Sequence, residues 1–511
     1  MNAAPPTNPQ PAAVHGPIVR SVRTLVGALL LVGCALGYAG EIHRGLGPSP
    51  DTIDIHRAQG LSAFNLLRDL HEGLLTRDAA GKPVAGIARE WAISDDGRSW
   101  TFELDRQARW SDGSAITADD FERGFARALK PETASPTAGW LEPIENVEVL
   151  DRHRLEIRLK RRVPWFDELL TLPVTFPWPA DGEALSSGPF RLVDRVAGAR
   201  FELEKNPHYR EADSVAADAI VWHVTEDPSA ELARFRAGEL HITESVPPGR
   251  HDWLKRELGD ALRVAPYLGS FYLVYNLGRP PFAGNPELRE ALSLAIDRDI
   301  IVERVLGTGE LPAWRLVPPG LEGWPDTPPP DANMPRAARI ERARELLEAS
   351  GYADQPLTIE LRFNSSLAHR RLSAAVAAMW KQHLGISTTL VNEEWKVFVT
   401  NRRHGRITEV VRGGWIADWA DPGNFLANFH SGSRLNYAFL RDDRFDGLLQ
   451  RAERADGRER TRLLWQAEER LLEQNAIVPL YYYVSRHLVA PEISGYEDNP
   501  MDIHLSRWLR P

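Results

Sequence analysis

Short stretches in which apolar and polar residues alternate recur along the chain, and each predicts a half-buried β-strand. Longer amphipathic stretches predict helices, and one of them opens with a capping box of Thr117 and Asp120 and ends at Leu129. The mixed order of the two patterns predicts an α/β protein with several sheets. The predicted strands are residues 100–104, 155–159, 201–204, 357–363 and 477–483, and the other predicted helices are residues 287–306, 336–350, 372–384, 443–455 and 458–475.

The N-terminus has the pattern of an export signal. Arg20 and Arg23 precede the apolar run 25–32, which is shorter than the ~20 apolar residues that a membrane span needs. The run leads to Cys34, the chain's single cysteine, in a sequence that resembles a bacterial lipobox. We therefore expect residues 1–33 to be a lipoprotein-type signal peptide, with Cys34 as the lipid attachment site and the protein in the periplasm or cell envelope. A plain signal peptide cleaved near Ala39 and an uncleaved anchor are the alternatives.

Length and composition are typical of a large multidomain protein. The chain has 511 residues, 61 of them basic and 71 acidic, so its formal net charge is −10. A single core stops growing at roughly 250–300 residues, so two or three domains are expected. The acidic balance without a basic run argues against a nucleic-acid partner, and one cysteine excludes a disulfide framework.

Motifs for catalysis and cofactor binding are absent from the sequence. It contains no phosphate-binding loop, no Gly-x-Ser-x-Gly turn and no His-Glu-x-x-His helix. No pair of histidines at helical i, i+4 spacing has an acid to complete a metal site. We therefore expect a protein that is not an enzyme, with no catalytic residues, no cofactor and no metal site.

The segment 413–422, GGWIADWADP, is the most informative for function. Its two glycines precede a bulky apolar stretch, which favours close approach of another backbone. Asp418 lies between Trp415 and Trp419, and a carboxylate in apolar surroundings is costly unless a cation pairs with it. That cation is either the ammonium group of a ligand, with strand edges supplying main-chain hydrogen bonds, or an arginine of the chain itself. The sequence leaves both interpretations open, and it favours a turn at Asp421–Pro422.

Together with this segment, a series of stretches resembles the periplasmic solute-binding proteins of the peptide/nickel class, extracellular family 5, which serve ABC importers. The resemblance covers nearly everything after about residue 50, in order. The other stretches are RDLHEGLL (68–75), IAREW (87–91), WSDGSAITADDF (110–121), SGPF (187–190), EKNPHY (204–209), REALSLAIDR (289–298), EWK (394–396) and IVPLYYYV (477–484).

The resemblance implies a type II periplasmic-binding-protein-like α/β fold, in which two lobes close on a ligand and the chain crosses between three domains more than once. Domain I of lobe 1 would comprise residues 41–71, 179–268 and 486–511. Domain II, residues 72–178, would extend lobe 1, and domain III, residues 269–485, would form lobe 2. Hinge motion is expected near residues 268–272 and 484–487.

The resemblance also implies roles for individual residues. Asp418 matches the acid that binds a peptide's α-amino group, and Gly414, Trp415 and Ile416 match the strand that hydrogen-bonds the peptide backbone. Trp395 and Trp415 match aromatic pocket walls. The cations that meet the peptide's C-terminal carboxylate match Arg412 and His369, with a further pocket arginine at Arg402 or Arg403.

The implied function is capture of short peptides by their backbone and termini, for delivery to an ABC permease and its ATPase subunits by a protein expected to be a monomer. Thr137, Gln59 and Leu306 depart from the family pattern, where peptide binders carry a tyrosine, a glutamate and a lysine, so ligand length and tolerance stay open. The alternatives are another solute on the same fold (a murein peptide, a nickel chelate or haem) and a drifted envelope sensor or chaperone.

Overall fold

Strands and short helices alternate along the part of the chain that the structure describes. The computed structural model describes residues 40–180, 182, 185–407 and 409–511, so the expected signal peptide 1–33 and Cys34 lie outside the described residues. The strands are β1 (Glu41–Gly47), β2 (Leu75–Arg77), β3 (Pro83–Ala85), β4 (Ala88–Ile93), β5 (Ser99–Leu104), β6 (Ile144–Asp151), β7 (Arg154–Leu159), β8 (Phe190–Val196), β9 (Arg200–Lys205), β10 (Ala219–Val224), β11 (Leu262–Tyr275), β12 (Leu311–Pro312), β13 (Thr358–Asn364), β14 (Ser387–Glu393), β15 (Val410–Ile416) and β16 (Ile477–Leu488). The helices are α1 (Leu61–Leu70), α2 (Ala118–Leu129), α3 (Phe166–Leu169), α4 (Pro228–Arg236), α5 (His251–Leu258), α6 (Pro286–Leu294), α7 (Arg298–Ile300), α8 (Arg336–Ala349), α9 (Leu367–Leu384), α10 (Trp395–Arg403), α11 (Gly423–Leu426), α12 (Asp443–Glu453) and α13 (Gly457–Glu473).

The strands form four sheets within one compact unit, Gly40–Pro511. A four-stranded sheet has the order β1-β10-β9-β8, a second has the order β4-β5-β7-β6, and β2 pairs with β3. The largest sheet has six strands in the order β12-β16-β11-β15-β13-β14. No helix in the described part of the chain is long and apolar enough to cross a membrane.

Separate hydrophobic cores support the larger sheets. Phe201 and Trp222 belong to the core on β1-β10-β9-β8, and Phe102 belongs to the core between β4-β5-β7-β6 and α2. The six-stranded sheet has a core on each face, because successive residues of β11 alternate: Phe271 belongs to one core and Tyr272 to the other.

β11 and β16 are the two long strands of the molecule's largest sheet, and their pairing shifts register twice, between Pro266 and Ser270 and between Phe271 and Tyr272. Leu262 to Pro266 pair with Leu488 to Val484, and Ser270 to Val274 pair with Tyr482 to Ile477, with a register shift between Pro266 and Ser270. The shift between Pro266 and Ser270 lies at the first of the two places where hinge motion is expected, residues 268–272. A local break in the ladder is a place where two paired strands can bend.

Most of the predicted elements are confirmed, and one helix is wrong. The capping box of α2 is present, with the Asp120 carboxylate accepting the Thr117 N–H at 2.8 Å. The single helix predicted over residues 287–306 is instead α6, a break, α7 and a π-helical segment, Ile301–Leu306. The break occurs because Asp297 caps a new helix, its carboxylate accepting the Ile300 N–H at 3.2 Å. The predicted helix 372–384 begins earlier, at Leu367, after the cap residue Ser366.

Candidate functional site

β15 has one paired edge and one open edge. It pairs with β11 along its whole length, from Val410–Tyr275 to Ile416–Gly269. Within the described residues, β13 pairs with β15 at Leu361–Val410 and Arg362–Val411 and nowhere further along. The Ala417 N–H donates to the Leu268 carbonyl at 2.8 Å, and backbone groups alternate in direction along a strand. The N–H and C=O groups of residues 412, 414 and 416 therefore point to the open side.

The two glycines of β15 serve different purposes. A Cβ on Gly413 would lie 2.4 Å from the Tyr272 ring, so the buried side of the strand has no room for a side chain. A Cβ on Gly414 would meet the Tyr483 hydroxyl at 3.1 Å and the Arg412 guanidinium at 3.3 Å. The missing side chain at Gly414 thus keeps a polar surface uncovered beside the open edge.

Asp418 follows β15 and is half-buried in the wall of a cavity of about 670 Å³. The Asn424 side-chain oxygen accepts the Asp418 N–H at 3.3 Å and the Trp415 indole N–H at 2.6 Å. Burial raises the pKa of the Asp418 carboxyl above its ordinary value, and a side-chain hydrogen bond with Asn424 offsets only part of this rise. No cation of the described residues pairs with this carboxylate. Of the two interpretations that the sequence left open, the internal salt bridge is not formed.

The basic groups nearest to this cavity are engaged elsewhere. Arg460, in the cavity wall, forms two hydrogen bonds with the Asp421 carboxylate, at 2.6 and 2.8 Å. Arg161, also in the wall, pairs with Glu142 at 3.7 Å. The buried position of Asp421 and its bond to the Gly423 N–H at 2.7 Å agree with the turn predicted there. Asp418 is therefore the buried carboxylate of this cavity that still needs a cation.

The opposite wall of the cavity comes from a distant part of the chain. Pro164 and Trp165 line it, and the Trp165 ring stacks on Trp419 with centroids 4.0 Å apart. An ion pair between Arg162 and Asp456 joins the same two regions. The indole N–H of Trp419 is buried and has no hydrogen-bond partner in the described part of the chain. The cavity thus has aromatic walls, and Trp419 and Asp418 both line it.

A second polar cluster lies at the other end of the open edge, around Arg412. The Arg412 Nε–H donates to Asn364 at 2.8 Å, and its guanidinium lies 5.6 Å from the Trp395 ring centroid. The His369 ring lies 5.4 Å from the Phe271 ring, which also faces Arg412. Burial, and then the charge of Arg412, lower the pKa of His369 to about 4. Burial and Arg412 therefore disfavour a charged His369 in this unliganded state, and its contact with a peptide carboxylate stays a prediction.

The structure distinguishes Arg402 from Arg403. The Arg402 guanidinium stacks between Phe398 and Tyr437, at 4.8 and 4.6 Å, and its Nε–H is buried without a partner among the described residues. Arg412 faces the same Phe398 ring at 5.5 Å, so the two arginines are neighbours. Arg403 is exposed and lines a smaller cavity together with Arg402. Arg402 is thus the arginine that joins the polar cluster.

Exposed apolar side chains accompany these polar groups. Trp395 is 49% exposed and Ile416 is 45% exposed, so neither side chain belongs to a core.

The three residues that depart from the family pattern have different surroundings: Thr137 is buried, Gln59 is exposed, and Leu306 packs against a core of the six-stranded sheet.

Comparison with known proteins identifies the family. The model for bacterial extracellular solute-binding proteins, family 5 Middle, matches residues 82–437. The chain belongs to this family. The periplasmic oligopeptide-binding protein OppA of Escherichia coli strain K12 is 35% identical to it over 503 residues, 92% of each chain.

Solved structures of family 5 proteins have the same fold. The unliganded open form of the murein tripeptide-binding protein MppA of Escherichia coli matches with a TM-score of 0.85 and 32% identity, over 92% of this chain and 97% of that one. Haemophilus influenzae OppA in complex with the peptide RPPGFSPFR matches with a TM-score of 0.72 and 31% identity, over 92% and 98%. The type II periplasmic-binding-protein-like α/β fold expected from the resemblance is confirmed.

Several residues of this family 5 site escape analysis of the sequence. Asn424 fixes the position of Asp418, Trp165 builds the far wall, and the Tyr483 hydroxyl lies beside Gly414. The run of three tyrosines in 477–483 could have indicated Tyr483. Alternate residues of a strand share a face, so such a run places tyrosine side chains on both faces of the strand. Nothing in the local sequence indicates that Trp165 or Asn424 would meet Asp418.

Proposed function

We propose that the protein is an extracytoplasmic solute-binding protein of an ABC importer, which captures short peptides by their backbone and termini. The observation that carries this proposal is Asp418, a half-buried carboxylate without a cation beside an open strand edge. An ammonium group in this cavity would supply the missing charge.

The peptide backbone would bind the open edge of β15 as an additional strand. The main-chain groups of Gly414 and Ile416 point to this side, and hydrogen bonds to a backbone do not depend on the side chains of the ligand. Trp395, Trp415 and Trp165 would form apolar walls for those side chains. This arrangement favours peptides of varied sequence.

The peptide's carboxylate would be received by Arg412 and His369, with Arg402 behind them. Arg412 and Asp418 are 418 − 412 = 6 residues apart, which is roughly 20 Å of extended strand at ~3.3 Å per residue. The Arg412 side chain reaches back along part of this distance. An extended peptide of about four to six residues would therefore contact both ends directly, and shorter ones would need water between their carboxylate and Arg412.

We further propose that ligand capture closes two lobes, divided at the domain boundaries expected from the sequence. The separate cores of the four-stranded sheets and of the six-stranded sheet support this division. The register shift between Pro266 and Ser270 would be the hinge in β11. The higher TM-score to the open form of MppA than to the OppA–peptide complex supports an open state, in which the expected lobes still touch at the Trp165–Trp419 stack and the Arg162–Asp456 ion pair.

The cellular setting follows the family. The protein would act in the periplasm and hand peptides to a permease driven by ATPase subunits, anchored to a membrane if Cys34 is acylated. A nickel chelate or haem brings no α-amino group and would leave the Asp418 carboxylate buried without a cation, so these ligands fit the site less well than a peptide does.

The test is a double-mutant cycle between Asp418 and the peptide's amino group. Isothermal titration calorimetry would compare a tetrapeptide with its N-acetylated form on the natural protein and on Asp418→Asn. We expect Asp418→Asn to weaken binding of the free-amine peptide by about 100-fold or more, because a buried ammonium loses its partner. Binding of the acetylated peptide should change little. Glu453→Gln, at an exposed carboxylate of the same cavity wall, is the matched control and should bind as the natural protein does. Equal losses for both peptides would refute the ammonium assignment.

A further inference from the structure

Two histidines and an aspartate converge away from the proposed ligand site. His487 lies near the end of β16, and Asp502 and His504 lie in the C-terminal segment. The Asp502 Oδ1 is 2.8 Å from His487 Nε2 and 3.1 Å from His504 Nε2. Among the described residues, this is the one group whose ligand atoms all lie within 4.8 Å of one another. Two imidazole nitrogens and one carboxylate oxygen thus lie close together, with the carboxylate oxygen in contact with both rings.

The orientation of His487 is the one that metal-binding histidines have. Its Nδ1 is 3.0 Å from the Thr243 carbonyl oxygen, which accepts hydrogen bonds and so requires the proton on Nδ1. Such a bond from the remote ring nitrogen to a backbone carbonyl is a contact that metal-binding histidines commonly make, and Zn²⁺ would replace the proton that Nε2 donates to Asp502. The Nδ1 of His504 is 3.5 Å from the Asn499 amide, which is too far to fix the tautomer of that ring.

A small cavity adjoins the three groups and contains an unsatisfied polar atom. Its volume is about 30 Å³, and its wall includes His487, Asp502, His504 and Tyr496. The Tyr496 hydroxyl is buried and has no hydrogen-bond partner among the described residues, although its ring stacks on His504 with centroids 4.0 Å apart. A buried hydroxyl without a partner indicates a missing water or ion, and the cavity has room for one.

We propose that His487, Asp502 and His504 bind one Zn²⁺ ion, with a water molecule in the adjoining cavity as the fourth ligand. Imidazole and carboxylate are ligands that Zn²⁺ accepts in tetrahedral sites. At metal–ligand distances of about 2.0–2.1 Å, the ligand atoms of a tetrahedral site lie roughly 3.3 Å apart. The two contacts of Asp502 therefore need to lengthen by about 0.5 Å or less, and the two imidazole nitrogens, which lie within 4.8 Å of each other, need to approach to about 3.3 Å. Glu244 and Arg44 line the same cavity with opposite charges, so neither sign dominates its surroundings.

The site would tie the C-terminal segment to a crossing between the lobes. His487 belongs to the register of β16 that pairs with Arg263 of β11, and the Leu268 N–H donates to the Pro500 carbonyl at 2.8 Å. Zn²⁺ would reinforce this attachment, so it should raise the melting temperature of the protein by binding the folded state. The inference does not depend on the nature of the transported ligand.

The test is Zn²⁺ titration of the full protein after removal of metals with EDTA, by calorimetry at pH 7.5. We expect one Zn²⁺ per chain, and at least 10-fold weaker binding for His487→Gln and for His504→Gln. Both replacements retain a side-chain amide that can donate to Asp502. The matched control is His241→Gln in the separate group of His43, His223 and His241, where His43 Nδ1 is 2.9 Å from His223 Nε2, and its affinity should not change.

A spectrum of the natural protein gives a readout that needs no variant. Co²⁺ in place of Zn²⁺ should give the intense visible absorption of a four-coordinate site, and Zn²⁺ should displace it. Absence of stoichiometric Zn²⁺ binding, a weak six-coordinate Co²⁺ spectrum, or natural affinity in both His487→Gln and His504→Gln would overturn the proposal. Loss of binding in His241→Gln alone would place the ion at the other histidine group and overturn it as well.

Discussion

At the scale of single residues, Asp418 is a carboxylate whose environment suits the unliganded protein poorly. Burial disfavours the carboxylate, and Asn424 offsets only part of that cost. Sites that bind charged ligands commonly hold a charge that the ligand completes. The position of Asp418 between Trp415 and Trp419 made it predictable from the sequence as a candidate ligand-binding residue. Its two interpretations could be separated only by the structure, because an arginine partner could come from any part of the chain.

Asp418→Asn should stabilise the unliganded protein. A carboxyl whose pKa is raised by folding favours the folded state at low pH, and this contribution is lost as the pH rises through the raised pKa. At pH 7 the charged form therefore opposes folding, and the neutral amide should increase the free energy of unfolding by up to about 1 kcal/mol. Urea unfolding at pH 7 and pH 4 measures this change in the free energy of unfolding. The gain should shrink at pH 4, and a loss of stability at pH 7 would contradict this account.

Asn424→Leu should destabilise the protein and weaken peptide binding together. The replacement leaves the Trp415 indole N–H and the Asp418 N–H without their acceptor, at a cost of about 1–3 kcal/mol. Asn428→Leu is the control, because the Asn428 side chain is also buried but donates a long bond of 3.4 Å. Urea unfolding and peptide titration of both variants check this. Equal losses of stability in the two variants would contradict the role of Asn424 as the acceptor for Trp415 and Asp418.

The His487–Asp502–His504 group illustrates what a search by spacing misses. The sequence led us to expect no metal site, since no histidine pair has helical spacing with an acid. His487 comes from a strand and His504 from an irregular segment, and the fold alone brings them to one carboxylate. Convergence of this kind has no local signature.

At the scale of secondary structure, the two glycines of β15 predict opposite phenotypes. Gly413→Ala places a Cβ against the buried Tyr272 ring and should cost about 1–3 kcal/mol of stability. Gly414→Ala should change stability by less than about 0.5 kcal/mol, but its methyl group should reduce peptide affinity by displacing Arg412 or Tyr483. Each variant is the control of the other, in urea unfolding and peptide titration. Reversed phenotypes would place the ligand on the other side of the strand.

The helix predicted over residues 287–306 was wrong because contacts with distant segments help to decide where the helix ends. The apolar periodicity of 287–306 continues through Asp297 without a glycine or proline. Asp297 caps the new helix there, and the buried Arg298 side chain holds the break in place because its Nε–H donates to the carbonyls of Ala313 and Pro479, both at 2.9 Å. Those acceptors come from distant segments, so local pattern could not place the break. α2 and α8, whose ends are set by local caps and turns, were predicted almost to the residue.

At the scale of the whole molecule, the order of strands in the six-stranded sheet is beyond sequence pattern. β11 pairs with β15 and β16, which lie far along the chain from it. Alternation of apolar residues predicts that strands exist and which face is buried, but not which strands are neighbours. The α/β class was predicted from the order of elements, and the arrangement of three domains in two lobes was implied by the resemblance to a family.

Peptide binding should make the molecule more compact. The structure matches the unliganded open form of MppA better than the OppA–peptide complex, with TM-scores of 0.85 and 0.72, and contacts to both lobes favour the closed state. Small-angle X-ray scattering should show a smaller radius of gyration when a saturating tetrapeptide is added. Asp418→Asn at the same peptide concentration should show little change. An unchanged radius for the natural protein with bound peptide would contradict lobe closure.

Identifying the molecules that the protein carries shows whether its site holds short peptides. Native mass spectrometry of the exported protein, purified without denaturation, would be followed by unfolding and sequencing of the released molecules. The account predicts a heterogeneous set of short peptides with free amino termini, of which those of about four to six residues contact both charged ends of the site. A single non-peptide ligand, or an empty protein that also ignores an added peptide library, would contradict it.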